Sequence, residues 1–283
     1  MLEQISEAFD AAELYFGHGT DNAWDEACWL LETLRRRQGK PNLQEHTPLT
    51  SADLVEVNEL FHARIATRKP LAYLLNEAWF CGVPFYVDER VLVPRSPFAE
   101  LIRNRFDPLL KQEPRRILDL CAGGGCIGIA CALAFPQAQV VLADISTEAL
   151  EVAQINVTAL ALQERVELVH SDLFRNISGK FDLIVSNPPY VAEGEYAELP
   201  EEYHREPRLG LVTEQDGIAI PLRIVEQAST FLRPGGLLLL ETGATWPVLA
   251  DARRDLPFLW LEFEHGGEGI CALTKEQLEG AVG

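Results

Sequence analysis

The chain has 283 residues, 47% of them hydrophobic, which is enough for one large domain or two modest ones and excludes a disordered or fibrous protein. Forty-three acidic residues against 24 basic ones leave a formal net charge of -19, which opposes binding driven by nucleic-acid phosphates and favours a cationic partner. The opening MLEQISEAFD carries three carboxylates and lacks the basic flank and apolar run of a signal peptide, and no apolar run reaches the ~20 residues that cross a bilayer, so a soluble, cytoplasmic protein is expected.

Residues 1 to about 75 read as helical, because Phe9, Leu14, Trp24, Ala27, Leu30, Leu31 and Leu34 recur at intervals near three and four, as do Leu54, Val57, Leu60, Phe61 and Ile65. Asp21 and Ser51 are the expected N-caps, the latter without a full capping box since Leu54 stands three residues on. A break is expected at Gly39-Lys40-Pro41-Asn42. The triplet Arg35-Arg36-Arg37 reads as a solvated helix end.

From Ala78 to Val93 the pattern turns to β, with Trp79 and Phe80, then Gly82-Val83-Pro84, then Phe85 to Val87 and Val91 to Val93, and predicts a hairpin joining two domains. Pro94-Arg95-Ser96-Pro97 resists both helix and sheet, since two prolines remove backbone donors. Beyond Pro114, strands are expected at 116–120, 140–143, 166–170, 181–186, 237–241 and near 258–263 and 269–274, with helices at 126–135, 147–160, 217–232 and 246–255. The alternation predicts an α/β fold, a mainly parallel sheet covered by helices on both faces and closed by a terminal hairpin with one antiparallel strand. Cysteines 28, 81, 121, 126, 131 and 271 contain no CxxC pair, and buried, reduced thiols are expected rather than a metal site.

Asp119-Leu120-Cys121-Ala122-Gly123-Gly124-Gly125-Cys126-Ile127-Gly128 follows a strand and opens a helix. Gly123, Gly125 and Gly128 satisfy GxGxxG, and Asp144 ends the next strand nineteen residues after Gly125. Glycines let the backbone approach a ligand, and an acid at the second strand's end can accept ribose hydroxyls, so a nucleoside-containing cofactor is implied. Dinucleotides and S-adenosylmethionine both use this geometry. Asp119 favours the second, because a carboxylate there repels a pyrophosphate and attracts the cationic aminoacyl end of S-adenosylmethionine. Asp172, followed by Leu173, stands after the third strand, where it either meets an adenine amino group or caps a turn.

Asn187-Pro188-Pro189-Tyr190 ends the fourth strand. The Asn side-chain carbonyl can accept from an amide or amino N–H, the prolines turn the next carbonyl outward as a second acceptor, and the Tyr ring can stack on a planar group. An amide or exocyclic amine nitrogen is a poor nucleophile, and two acceptors on its hydrogens favour the charge that develops as it attacks a sulfonium methyl.

These residues resemble the amino-methylating S-adenosylmethionine-dependent methyltransferases, whose motif is (Asp/Asn/Ser)-Pro-Pro-(Tyr/Phe/Trp). Within that class, Pro70 to Leu74 and the hairpin from Phe80 to Arg95 resemble the HemK-type protein N5-glutamine methyltransferases, as do Glu206-Pro207-Arg208-Leu209 and Asp216-Gly217, where that family has a substrate loop. Tyr15 to Ala27, Asn76 to Gly82, Pro94 to Leu101 and Trp260 to Phe263 resemble its branch acting on the third protein of the large ribosomal subunit, rather than its release-factor branch.

The resemblance implies a Rossmann-like class I methyltransferase fold with a seven-stranded sheet. It divides the chain into a helical substrate-recognition domain (1–77), a β-hairpin linker (78–96) and a methyltransferase domain (97–283). It further implies S-adenosylmethionine as cofactor, S-adenosylhomocysteine as product, and no metal. Asp119, Cys121, Ala122, Gly123, Gly124, Gly125, Asp144, Asp172, Leu173 and Asn187 would hold the cofactor; Asn187, Pro188, Pro189 and Tyr190 would hold the substrate, with Asn187, Pro188 and Tyr190 catalytic. The implied partner is the basic ribosomal protein, with rRNA or an assembly intermediate left open through Arg35-Arg36-Arg37, and neither membrane nor DNA expected. Release-factor methylation and adenine-N6 methylation of nucleic acid are the rival activities; a dehydrogenase and a non-catalytic assembly factor stand further off. Ala122 and Gly124 depart from the family, which usually carries Thr or Ser there. If the Tyr15 to Ala27 stretch serves folding alone rather than the substrate branch, His18 is a hydrogen-bonder at a helix entry.

Overall fold

The computed structural model describes residues 1–37, 39, 50–264 and 266–280. Helices α1 (Leu2–Ala11), α2 (Ala23–Arg37), α3 (Ser51–Thr67) and α4 (Leu71–Leu75) pack as an N-terminal bundle. Its core gathers Phe9, Leu30, Leu34, Val57, Leu71 and Leu75 from all four helices. Two caps differ from expectation by one residue. Asn22, not Asp21, accepts the Asp25 N–H at 2.9 Å. Thr50, not Ser51, caps α3, and its capping box is complete because Asp53 accepts the Thr50 N–H at 2.6 Å and Thr50 Oγ1 accepts the Asp53 N–H at 3.3 Å. The break expected at 39–42 falls, from Lys40 on, outside the described residues.

The arginine triplet is a helix end that is solvated at Arg36 and Arg37 and buried at Arg35. Arg36 pairs with Glu77 and lies over the Trp79 ring at 5.1 Å, Arg37 donates to the Leu75 carbonyl, and Arg35 is buried. Arg36 and Arg37 clasp α2 to α4 and to the hairpin that follows.

That hairpin is shorter than predicted. Only β1 (Ala78–Phe80) and β2 (Val83–Phe85) pair, around Cys81 and Gly82, both at positive φ (52° and 76°) as a tight two-residue turn requires. Val91 and Val93 are buried but belong to no strand, and 94–97 forms neither helix nor strand. α5 (Phe98–Arg103), a short helix the sequence pattern does not reveal, leads into the sheet.

The sheet runs β3 (Arg116–Leu120), α6 (Cys126–Ala134), β4 (Gln139–Asp144), α7 (Thr147–Ala159), β5 (Val166–His170), β6 (Phe181–Ser186), α8 (Glu193–Tyr196), α9 (Arg208–Leu211), α10 (Ala219–Phe231), β7 (Leu232–Glu241), α11 (Trp246–Ala252), β8 (Leu259–Trp260), β9 (Ile270–Thr274) and α12 (Lys275–Gly280). Among the described residues the order is β5-β4-β3-β6-β7-β9-β8, seven strands. β9 inserts antiparallel between β7 and β8, and the remaining ladders are parallel. Apolar residues run continuously along the central strands because both faces are covered. Ile117, Val140, Leu142 and Val185 face a core shared with α6 and α7, while Leu118, Val141, Ile184 and Leu238 face one shared with α10, α11 and α12. No described helix is long and apolar enough to cross a membrane.

Candidate functional site

The strand register sets the site. Leu120 aligns with Ala143 and Ser186, and Ser186 with Leu240. Cys121, Asp144, Asn187 and Glu241 therefore leave the sheet along one carboxyl edge, where open parallel sheets hold ligands. A cavity of about 1230 Å³ opens there, lined by Cys121, Ala122, Gly123, Gly124, Asp144, Asp172, Leu173 and all four residues from Asn187 to Tyr190.

Two of the expected cofactor residues, Asp119 and Gly125, are not on that wall. Gly125, at φ 80°, is pressed between Leu142 and Ile129, which an added Cβ would meet at 2.8 and 3.1 Å. Gly123 differs, since a Cβ there would meet nothing within 4 Å. Gly125 thus packs α6 onto the sheet while Gly123 leaves its backbone open to a ligand.

Asp119 lies beneath the loop, 1% exposed. Its Oδ2 accepts the Gly128 N–H at 2.8 Å, and its Oδ1 is buried without a partner. Burial, with a smaller push from Asp144, raises its carboxyl to about 8 against the pull of the Gly128 bond. Asp144 accepts from the Gly123 N–H and the Ser146 N–H, both at 2.8 Å. A carboxylate has about four acceptor sites, so Asp144 keeps capacity for further donors. Asp172 carries a partner the sequence does not suggest, Arg223 of α10 at 2.9 Å. An orphaned acid under the loop, an acid with spare acceptors on the wall and an open Gly123 suit a ligand bearing hydroxyls and a cationic amine; they oppose a pyrophosphate.

The half-buried Asn187 amide makes no hydrogen bond among the described residues, so its donors and acceptor are free for a ligand. Tyr190 donates its hydroxyl to Glu241 Oε1 at 3.1 Å. Cys121 and Cys126 also line the cavity, and burial pushes both thiols up, away from nucleophilic thiolate. Among the six cysteines, all free, only Cys131 and Cys271 are fully buried, fewer than expected.

The glycine loop is tied to the linker by Asn156 of α7, which sequence reading missed. Its Oδ1 accepts the Tyr86 N–H at 2.7 Å, and its Nδ2 donates to the carbonyls of Tyr86 at 3.1 Å and Gly124 at 2.9 Å. Asn156→Leu would leave those three backbone groups unpaired in the interior, an expected loss of about 2–4 kcal/mol. Urea melts of the two proteins check this, and midpoints that coincide would remove Asn156 from the scaffold of the loop.

The far wall is a segment following Tyr190, gripped by the N-terminal bundle. Glu202, in the 3-10 turn Glu201–Arg205, accepts the Tyr15 N–H at 3.0 Å and pairs with Arg68 at 2.8 Å and Arg64 at 3.5 Å. Glu206 accepts from the Val93 N–H at 2.9 Å and from Arg95 at 2.7 and 2.6 Å, and faces His18 Nε2 at 3.4 Å. Burial alone would raise the Glu206 carboxyl, but Arg95 and His18 outweigh it and hold it at about 2. His18 is therefore a buried partner of this wall rather than a helix-entry residue, with its ring 4.8 Å from that of Tyr203.

A sheet of this order, with a glycine loop after its first strand and acids at its carboxyl edge, defines a class I methyltransferase fold. Residues 103–201 match the family described as the methyltransferase small domain. A methyltransferase structure from Pyrococcus furiosus superimposes with a TM-score of 0.52 at 20% identity, over 76% of this chain and 97% of that one. Over nearly the whole length, the chain is 42% identical to the ribosomal protein uL3 glutamine methyltransferase of Francisella tularensis subsp. tularensis, covering 95% of this chain and 87% of the relative. It is 44% identical to the protein of the same name from Neisseria gonorrhoeae, covering 96% and 92%. The chain belongs to the ribosomal protein uL3 glutamine methyltransferase family.

Proposed function

We propose that this protein transfers a methyl group from S-adenosylmethionine to the side-chain amide nitrogen (N5) of a glutamine in uL3, the third protein of the large ribosomal subunit. One observation carries the reading: the unpaired Asn187 amide, with Pro188, Pro189 and Tyr190, shares a cavity wall with the glycine loop and Asp144. Membership of the family supplies the substrate.

The cofactor supplies an electrophilic methyl group and leaves as S-adenosylhomocysteine. The loop from Cys121 to Gly124, Asp144 and the Asp172-Leu173 pair would hold it, and its cationic end would favour the ionised form of Asp119, buried beneath the loop. Asn187 and the Pro188 carbonyl accept the two amide hydrogens of the target glutamine, and Tyr190 orients the amide plane. These acceptors stabilise the positive charge that grows on nitrogen as the new C–N bond forms and the S–C bond breaks; the nitrogen then releases a proton to water. Residues 1–77 act as the substrate-recognition domain, 78–96 as the linker and 97–283 as the methyltransferase domain. The net charge of -19 suits a basic ribosomal protein and opposes the adenine-N6 alternative.

The test is intact-mass and fragment spectrometry of purified uL3 and of a release factor, each incubated with the protein and S-adenosylmethionine. A gain of roughly fourteen daltons on one glutamine of uL3 alone is expected, since only transfer changes covalent mass. Methylation of the release factor alone would keep the chemistry and overturn the substrate.

A further inference from the structure

We infer that Glu241 is a positioning residue for the tetrapeptide, holding the Tyr190 ring in the one orientation that completes the amide slot. The inference rests on the function proposed above and deepens it. Parallel pairing of Ser186 with Leu240 brings Glu241, the last residue of β7, beside Asn187 at the sheet edge. Glu241 is 4% exposed and lines the cavity. Both its oxygens are committed, Oε1 to the Tyr190 hydroxyl at 3.1 Å and Oε2 to the Ser96 hydroxyl at 2.5 Å. Ser96 in turn accepts the Phe98 N–H at 3.1 Å, so the chain of bonds runs from the linker to the tetrapeptide.

Two glycines complete the clamp. A Cβ on Gly243 would come within 2.6 Å of the Tyr190 ring, so the ring lies flush on bare backbone there. A Cβ on Gly217, at φ 87°, would come within 2.3 Å of the Tyr190 carbonyl. The backbone fixes where Tyr190 sits and one side of its ring; the hydroxyl bond to Glu241 fixes the ring's far end. Arg95, Tyr190 and Cys126 are the charged and titratable groups facing Glu241, along with the Ser96 hydroxyl. Burial raises its carboxyl to about 7, against the bonds from Ser96 and Tyr190 and the charge of Arg95. Ionised above that value, it accepts from both hydroxyls; protonated below it, the oxygen that carries the proton donates instead, and the bond it makes is redirected.

Glu241→Ala, Glu241→Gln, Tyr190→Phe and the Ala/Phe double variant, all full chain, would be assayed with S-adenosylmethionine and purified uL3. For Glu241→Ala, kcat is expected to fall about 10- to 100-fold while KM for uL3 and cofactor affinity change less than about threefold. The double variant should be no slower than the slower single, since both remove one interaction. Glu241→Gln, which keeps an acceptor, should recover most of the rate and lose the decline of kcat below pH about 7 that is expected of the wild type. Wild-type kcat in Glu241→Ala, or multiplying losses in the double variant, would overturn the assignment.

A second readout stands apart from substrate. In protein labelled with 3-fluorotyrosine, the 19F resonance absent from Tyr190→Phe should titrate near pH 7 in wild type and not in Glu241→Gln. A flat resonance in wild type overturns the role of Glu241; a titrating one with no glutamine methylation by wild type overturns the proposed function instead. Should Glu241→Ala not fold, the Gln variant and this titration decide alone.

Discussion

Asn187→Ala is expected to reduce glutamine methylation by about 10²- to 10³-fold or more, the cost of losing an aligned polar contact to developing charge, while cofactor binding changes little. The side chain is dispensable to the fold, since among the described residues it makes no hydrogen bond, whereas neighbouring Ser186 donates to the Leu120 carbonyl at 2.8 Å and locks the strand end. Loss of activity with an unchanged melting curve is therefore a loss of chemistry. Isothermal titration with S-adenosylmethionine beside single-turnover methylation of uL3 separates the two effects. A variant that turns over at the wild-type rate would remove Asn187 from the reaction.

Arg64→Met should cost the most stability, about 3–5 kcal/mol, because it strands buried carboxylates. Arg64 is 1% exposed, in the last turn of α3. It donates to Glu26 at 2.5 Å and to the Tyr15 carbonyl at 3.0 Å, and faces Glu202 at 3.5 Å. Methionine fills similar volume but supplies no charge. Glu202 keeps Arg68, so the larger penalty falls on Glu26, whose carboxyl burial already raises above its ordinary 4.5 against the pull of Arg64. Without Arg64 it rises further. A carboxyl raised in the folded state costs stability above that raised value, and the cost vanishes as pH falls below the unfolded 4.5. The deficit of Arg64→Met, measured by urea melts across pH, should be largest near neutrality and shrink in acid, and adding Glu26→Gln should restore part of it. A deficit independent of pH would mean that lost packing, not stranded charge, dominates.

Legibility in the sequence followed the range of the interaction. Apolar runs of fixed length bounded by turn residues marked the central strands, and their alternation with helices set the parallel sheet. The edge of that sheet then placed Cys121, Asp144, Asn187 and their neighbours correctly on one wall, because each follows a strand end. The same logic reaches Glu241, which follows four leucines. β7 begins at Leu232 rather than 237, since pairing resumes across the register shift at Phe181/Leu183, a feature of two strands together rather than of one. α5 and α12 are too short for periodicity to register. Thr50 and Asn22 show that a cap is decided by where the backbone turns extended, which neighbouring polar residues do not distinguish. Least visible was the grip on Glu202 and Glu206, whose partners Tyr15 and His18 stand nearly two hundred positions earlier; the local chain around either acid carries no mark of them.

The same grip bears on how such a protein can change over generations. Two acids that follow the sheet's fourth strand have partners in the bundle, Arg64 and Arg68 for Glu202 and, beside the nearer Arg95, His18 for Glu206. Bundle and sheet are therefore not interchangeable parts. A new bundle grafted onto this sheet would need guanidinium groups at matching places, or would leave Glu202 sealed in without compensation and Glu206 with Arg95 alone. Cations and acids across this seam can be replaced together but not singly, so the solvent-facing residues of the bundle, such as Trp24 and Val55, are freer to vary than those that grip Glu202 and Glu206.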